Sequence, residues 1–207
     1  FKSILKIVCV GRNYAAHIEE LENERPDHPV LFIKPDTSIL QKKQPFFIPH
    51  FTDDVHYEVE LMVKIDRIGK HIEPEFAPKY YSKIGLGIDF TARMLQKELK
   101  AKGLPWEKAK AFDGSALVGE WFSKEDFHDI DSVSFRLDKN GQTVQSGNSS
   151  QMLWKINELI PYCSQFFTLK IGDIIFTGTP AGVGSVAEGD LLEGYLESRE
   201  AFTVKIK

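Results

Sequence analysis

The sequence predicts a strand-rich α+β fold with a few peripheral helices. Three observations carry this. Residues 56–65 alternate, with Tyr57, Val59, Leu61, Val63 and Ile65 on one face and His56, Glu58, Glu60 and Met62 on the other, which is the two-residue period of a β-strand. Turn signals, above all Asn140-Gly141, separate short apolar runs. Predicted strands outnumber predicted helices and do not alternate regularly with them, which argues against a doubly wound α/β sheet.

The elements follow in order. Ile4–Val10 is a short apolar strand. Asn13–Leu21 reads as a short helix with Asn13 as its N-cap, and Glu22–Pro29 breaks it. Val30–Lys34 is strand-like and stops at Pro35. Ile84–Phe90 is a strand thinned by Gly85 and Gly87, where another backbone or a ligand can approach closely. Thr91 is the expected N-cap of a helix from Ala92 to about Lys102, closed by Gly103 and Pro105. Ser132–Asp138 and Gln142–Ser146 flank Asn140-Gly141 as a hairpin. Ser149 or Ser150 caps a helix to about Phe167. Its apolar positions (Met152, Leu153, Ile156, Leu159, Ile160, Cys163 and Phe167) recur at helical spacing, and Pro161 predicts a kink or a break. Ile174–Thr177 is a strand that enters the loop Gly178–Gly184.

Composition bounds the function. A length of 207 residues suits one large domain or one with a small appendage. Hydrophobic residues at 42% and charged residues at 27% exclude disorder for the bulk of the chain. The 26 basic and 30 acidic residues give a net charge of −4, which is no footprint for nucleic acid or an anionic membrane. No apolar run approaches the roughly 18 residues that span a bilayer. Cys9 and Cys163 sit in apolar stretches and read as buried free thiols. The first residues carry charge and no cleavage site, so no signal peptide is expected, and a reduced cytoplasmic setting is.

Glu58 and Glu60 leave the same strand face about 7 Å apart, which is costly unless a cation or water lies between them. By spacing alone a solvated strand face is the commoner explanation. Asp89, at the end of the glycine-thinned strand, raises the alternative: three carboxylates hold one divalent ion and leave about three octahedral positions open. Oxygen-only ligands favour Mg²⁺, Mn²⁺ or Ca²⁺ over Zn²⁺. His17 and Glu20 share a helix face at i and i+3, an arrangement that fixes an imidazole tautomer for general-base work, although spacing alone favours a surface helix. Lys110 stands among several surface lysines and carries no signal by itself. Gly182-Val-Gly184-Ser-Val-Ala187 fits a loose dinucleotide pattern but precedes Glu-Gly-Asp and not a helix, so it is rejected. The Gly178–Gly184 loop can offer backbone N–H groups to an anion.

Seven segments in order resemble the fumarylacetoacetate hydrolase (FAH) family, and within it the short single-domain acylpyruvase-like members. They are Gly11-Arg-Asn-Tyr-Ala-Ala-His17, Phe32-Ile-Lys34-Pro, Tyr57-Glu-Val-Glu60-Leu, Gly87-Ile-Asp89-Phe-Thr-Ala-Arg93-Met-Leu-Gln96, Lys110-Ala-Phe-Asp113, Gln145-Ser-Gly-Asn-Ser and Gly172 through Gly184. The resemblance implies a mixed β-sandwich roll of the FAH C-terminal-domain type, one catalytic domain over 1–207 and a homodimer. It implies a divalent metal (Mg²⁺ or Mn²⁺) on Glu58, Glu60 and Asp89. It implies a His17–Glu20 pair on a short lid within about residues 11–29, and Lys110 as the active-site lysine. Arg12, Arg93, Gln96 and Thr179 match positions that line the substrate site in relatives. The sequence departs from the family pattern at Met94, around Leu117 and over Glu193–Glu200.

The implied substrate is a small 2-oxo or 2,4-dioxo acid whose carboxylate and keto oxygen chelate the ion. Hydrolysis of a C–C bond in acylpyruvates or decarboxylation of oxaloacetate is the expected reaction. The alternatives are isomerisation of a 2-hydroxy-dienoate-type diacid or a catalytically silent metal-binding module.

Overall fold

The computed structural model describes residues 6–21 and 24–207, so residues 4 and 5 of the first expected strand lie outside the described residues. The short apolar runs become β1 (Lys6–Gly11), β2 (Val30–Pro35), β3 (Val55–Tyr57), β4 (Val59–Ile65), β5 (Tyr81–Asp89), β6 (Thr91–Ala92) and β7 (Ala116–Ser123). They continue as β8 (Ser134–Lys139), β9 (Gln142–Asn148), β10 (Ile174–Phe176), β11 (Gly184–Ser185), β12 (Leu191–Leu196) and β13 (Arg199–Lys205). The helices are α1 (Ala15–Glu20), α2 (Arg93–Ala101), α3 (Glu107–Lys110) and α4 (Ile156–Phe166). The strand-rich α+β class is as the sequence predicts. No helix among the described residues is long and apolar enough to cross a membrane.

A six-stranded mixed sheet, ordered β2-β1-β10-β4-β5-β7, forms the centre. Both of its faces are covered. Val8, Val10, Leu61 and Val63 belong to the main core, while Ile7, Cys9, Met62 and Phe176 pack on the opposite side. Near-continuous apolar stretches such as Lys6–Gly11 follow from this two-sided burial. A four-stranded sheet, β13-β12-β8-β9, and a three-stranded sheet, β11-β3-β6, complete the roll. The β8–β9 hairpin turns at Asn140 and Gly141, with φ of 53° and 78°, as the sequence predicts. Cys9 and Cys163 are buried and free.

The local differences have tertiary causes. The alternating segment 56–65 is not one strand. It breaks at Glu58, with β3 in the three-stranded sheet and β4 in the six-stranded one. Asn13 does not cap α1. Its side chain donates to Trp154 O (3.0 Å) and Thr177 O (2.8 Å) and accepts from Trp154 N–H (2.9 Å). Thr91 does not cap α2 either. Asp54 Oδ2 takes the Met94 N–H at 3.1 Å, from a segment 40 residues away. The helix expected from Ser149 or Ser150 begins only at Ile156, where Lys155 N–H donates to Glu158 Oε2 at 2.7 Å; Ser149–Gln151 form a separate 3₁₀ turn capped by Asn148, whose Oδ1 accepts Ser150 N–H at 2.8 Å. α4 itself runs unbroken through Pro161. Burial of Ile156, Leu159, Ile160 and Cys163 offsets the roughly 3 kcal/mol that an interior proline costs.

Candidate metal centre and active site

Strand register assembles the carboxylates. β4 and β5 pair antiparallel with Val59 opposite Ile88 and Glu60 opposite Gly87. Asp89 therefore ends beside Glu58, and its N–H donates to Glu58 O at 2.9 Å. Each of Glu58, Glu60 and Asp89 brings an oxygen within 4.8 Å of the others, and all three are buried. Gly87 makes the approach possible, since a Cβ there would meet Leu117 O at 2.4 Å and Met62 Sδ at 2.6 Å. Of the two partners allowed for by the thinned strand, a neighbouring backbone is the one that comes close.

Cations surround these oxygens. Lys110 Nζ donates to Glu58 Oε2 (2.7 Å), Asp89 Oδ2 (2.8 Å) and Thr91 Oγ1 (2.6 Å). Arg93 pairs with Glu58 Oε1 and donates to Gln96 Oε1 at 2.7 Å. Lys34, fully buried, lies 2.8 Å from Asp89 Oδ1 but off the line of a hydrogen bond. Burial opposes charge on Glu58, yet Lys110, Arg93 and His17 hold its carboxyl well below the usual range. Glu60 goes the other way: burial, then Asp89 and Glu58, push it up, although Gly178 N–H donates to its Oε2 at 2.7 Å. Burial pulls the Lys110 ammonium down, but Asp89 and Glu58 more than compensate and raise it.

These residues fit a hard dication. The donors are all oxygen. Asp89 Oδ1 is buried and pairs with Lys34 at 2.8 Å but accepts no hydrogen bond, so a lone pair stays open to a cation. Glu60 carries a carboxylate that two neighbouring carboxylates destabilise and a cation would stabilise.

Residues of α1 meet the same cavity. His17 Nδ1 lies 3.1 Å from Glu20 Oε2, and Glu20 Oε1 accepts Gly182 N–H at 2.9 Å. The glycine loop thus offers its N–H groups to anions, but to the carboxylates of Glu60 and Glu20. Arg12, at φ 58°, His17, Arg93, Gln96, Lys110 and Thr179 line a cavity of about 50 Å³ together with the three acids. Such a volume holds only a few waters. Every candidate site residue of the sequence therefore comes together, with Glu20 one step behind His17. Sequence reasoning assigned no role to Lys34 or Gln145. Lys34 had a usable signal, since a lysine inside Val30-Leu-Phe-Ile-Lys34 must be compensated if the strand is buried.

A buried carboxylate triad at a strand break, faced by a lysine and a His–Glu pair, has the donor set of a hard-cation centre. Residues 6–207 match the model of the fumarylacetoacetate (FAA) hydrolase C-terminal family, and the chain belongs to that family. It is 43% identical over 190 residues to the oxaloacetate tautomerase YcgM of Escherichia coli (strain K12), covering 91% of this chain and 87% of that protein. It is 41% identical over 189 residues to the mitochondrial oxaloacetate decarboxylase of Dictyostelium discoideum, covering 91% and 87%. The fumarylpyruvate hydrolase of Pseudomonas aeruginosa, solved with Mn²⁺ and pyruvate, superposes with a TM-score of 0.91 at 33% identity, covering 98% of this chain and 89% of that one.

Proposed function

We propose that this chain is a divalent-metal-dependent enzyme of small 2-oxo acids, and that it interconverts the enol and keto forms of oxaloacetate. The observation that carries the reading is the meeting of Glu58, Glu60 and Asp89 with Lys110 and His17 around one small cavity. The chain's similarity to an oxaloacetate tautomerase supports the choice of reaction.

Glu58, Glu60 and Asp89 would hold Mg²⁺ or Mn²⁺, which supplies Lewis acidity for the oxygen of a 2-oxo acid. The residues of the chain do the rest. Lys110 places an ammonium beside the oxygen on which enolate charge develops. Glu20 occupies His17 Nδ1 and leaves Nε2 to handle the proton. The net change is one proton moved from the enol oxygen to C3, carried by His17. Arg12, Arg93, Gln96 and Thr179 hold the substrate's carboxylate and keto groups. The cavity as it stands admits only a few waters, so α1 moves aside to admit the substrate and seats again over it. One catalytic domain and a homodimer belong to the same proposal, the latter checked by light scattering.

Hydrolysis of an acylpyruvate is the second reading. The His17–Glu20 pair favours it, since that arrangement suits activation of a water toward a distal carbonyl. Decarboxylation of oxaloacetate uses the same lysine and acids and needs no attacking water.

The test is enol loss from oxaloacetate, followed in the ultraviolet with Mn²⁺ or EDTA, alongside pyruvate release from oxaloacetate and acetylpyruvate. His17→Ala is expected to keep Mn²⁺ binding and to lose turnover by about 10²–10⁴. Full turnover in His17→Ala removes the role given to it. Turnover by the parent that is indifferent to EDTA sinks the metal reading.

A further inference from the structure

Gln145 lies outside the cavity and touches no proposed ligand, yet it is 1% exposed and every polar group of its amide is engaged. Its Oε1 accepts Val59 N–H at 2.9 Å. Its Nε2 donates to Thr179 Oγ1 at 2.8 Å and to Pro180 O at 2.9 Å. The partners fix which end of the amide is which, because an N–H needs an acceptor and a carbonyl needs a donor. Val59 is the peptide between Glu58 and Glu60, at the break where β3 passes into β4. Thr179 and Pro180 stand in the loop that sends Gly178 N–H to Glu60 and Gly182 N–H to Glu20. Gly182 rests on the same residue: a Cβ there would meet Val144 O at 2.4 Å and Gln145 Cγ at 3.3 Å.

We infer that Gln145 is a positioning residue that locks the peptide between the two glutamate ligands to the loop on which the His17–Glu20 lid seats. One amide therefore sets two distances, the spacing of Glu58 and Glu60 and the height of the loop that receives Glu20. Glutamate cannot replace it, since a carboxylate keeps the Val59 contact but sets an oxygen against Pro180 O and loses both donors. Methionine of similar length loses all three bonds. The inference rests on the reading of the site as a metal-dependent 2-oxo acid site, and binding experiments separate the two.

The experiment uses the full chain and Gln145→Glu and Gln145→Met variants. Mn²⁺ affinity is measured by calorimetry, and oxalate affinity in the presence of Mn²⁺, oxalate serving as a planar mimic of a 2-oxo acid enolate. Oxaloacetate kcat and KM are measured in parallel. Gln145→Glu is expected to bind Mn²⁺ as the parent does and to bind oxalate about 10- to 100-fold more weakly, with KM raised more than kcat falls. Gln145→Met is expected to lose about 10-fold in Mn²⁺ affinity as well. Unchanged oxalate affinity in Gln145→Glu overturns the inference, even if melting temperature falls. Should Gln145→Met not fold, Gln145→Glu decides alone. A parent that binds Mn²⁺ and oxalate but does not turn over oxaloacetate fails the functional reading and leaves these binding arms intact.

Discussion

Lys34 is a charge with no exposed surface, set among Asp89, Ser115 Oγ at 2.9 Å and the carbonyls of Ser115 and Lys110. A lone buried ammonium is untenable, so its neighbours define its value. It helps to balance three carboxylates that Lys110 and Arg93 alone would leave under-compensated. Lys34→Met is expected to destabilise the metal-free protein by about 3–5 kcal/mol in urea denaturation, the cost of stranding half of a buried pair. A change below about 1 kcal/mol would mean that Lys110 suffices for Asp89. At this scale the sequence was legible where residue type and chemistry coincide. Glu58, Glu60 and Asp89 were readable because carboxylates two apart on a strand, with a third beyond glycines, demand an explanation. Gln145 was not, because an amide is ordinary anywhere and only its three partners make it particular.

Elements meet at close quarters around β5. Gly87 has no room for a methyl group because the β7 backbone occupies it. Gly87→Ala is expected to destabilise by about 1–3 kcal/mol in urea, as overpacking does, and to lower Mn²⁺ affinity by displacing Asp89. Tyr81, at the other end of β5, is buried and its hydroxyl is pushed up to about 12, by burial first and then by Asp131. A group whose pKa rises on folding contributes stability that is fully present below its unfolded value, 10.0 for tyrosine, and is lost as pH climbs through the folded one. The melting temperature is therefore expected to fall between about pH 10 and 12, and less steeply in Tyr81→Phe. Identical slopes in the two proteins would assign the alkaline loss to other groups. Helix ends were the least legible elements. Asn13 and Thr91 are good caps by type, but each is drawn into a distant contact, Asn13 by Trp154 and Thr91 by Lys110.

The whole molecule encloses the site between the six-stranded sheet, α1, α2 and the Gly178–Gly184 loop, so an ion bound there would be linked to folding. Mn²⁺ at about 100 times its Kd is expected to add about 2.7 kcal/mol, roughly 5–10 °C in melting temperature for a chain of this size. Glu60→Ala is expected to abolish the rise, and a rise that survives the substitution would place the ion elsewhere. The sequence by itself determined the strand-rich class and the hairpin at Asn140-Gly141, because periodicity and turn chemistry are local. Residue type made Glu58, Glu60 and Asp89 candidates, whereas His17, Glu20 and Lys110 stood out only through the resemblance to a family. Only the tertiary structure decided where segment 56–65 breaks, which residues cap the helices, and that Lys34 and Gln145 serve the site. Most of those outcomes depend on partners 19 to 164 positions away along the chain, and no local pattern encodes the company a buried polar group keeps.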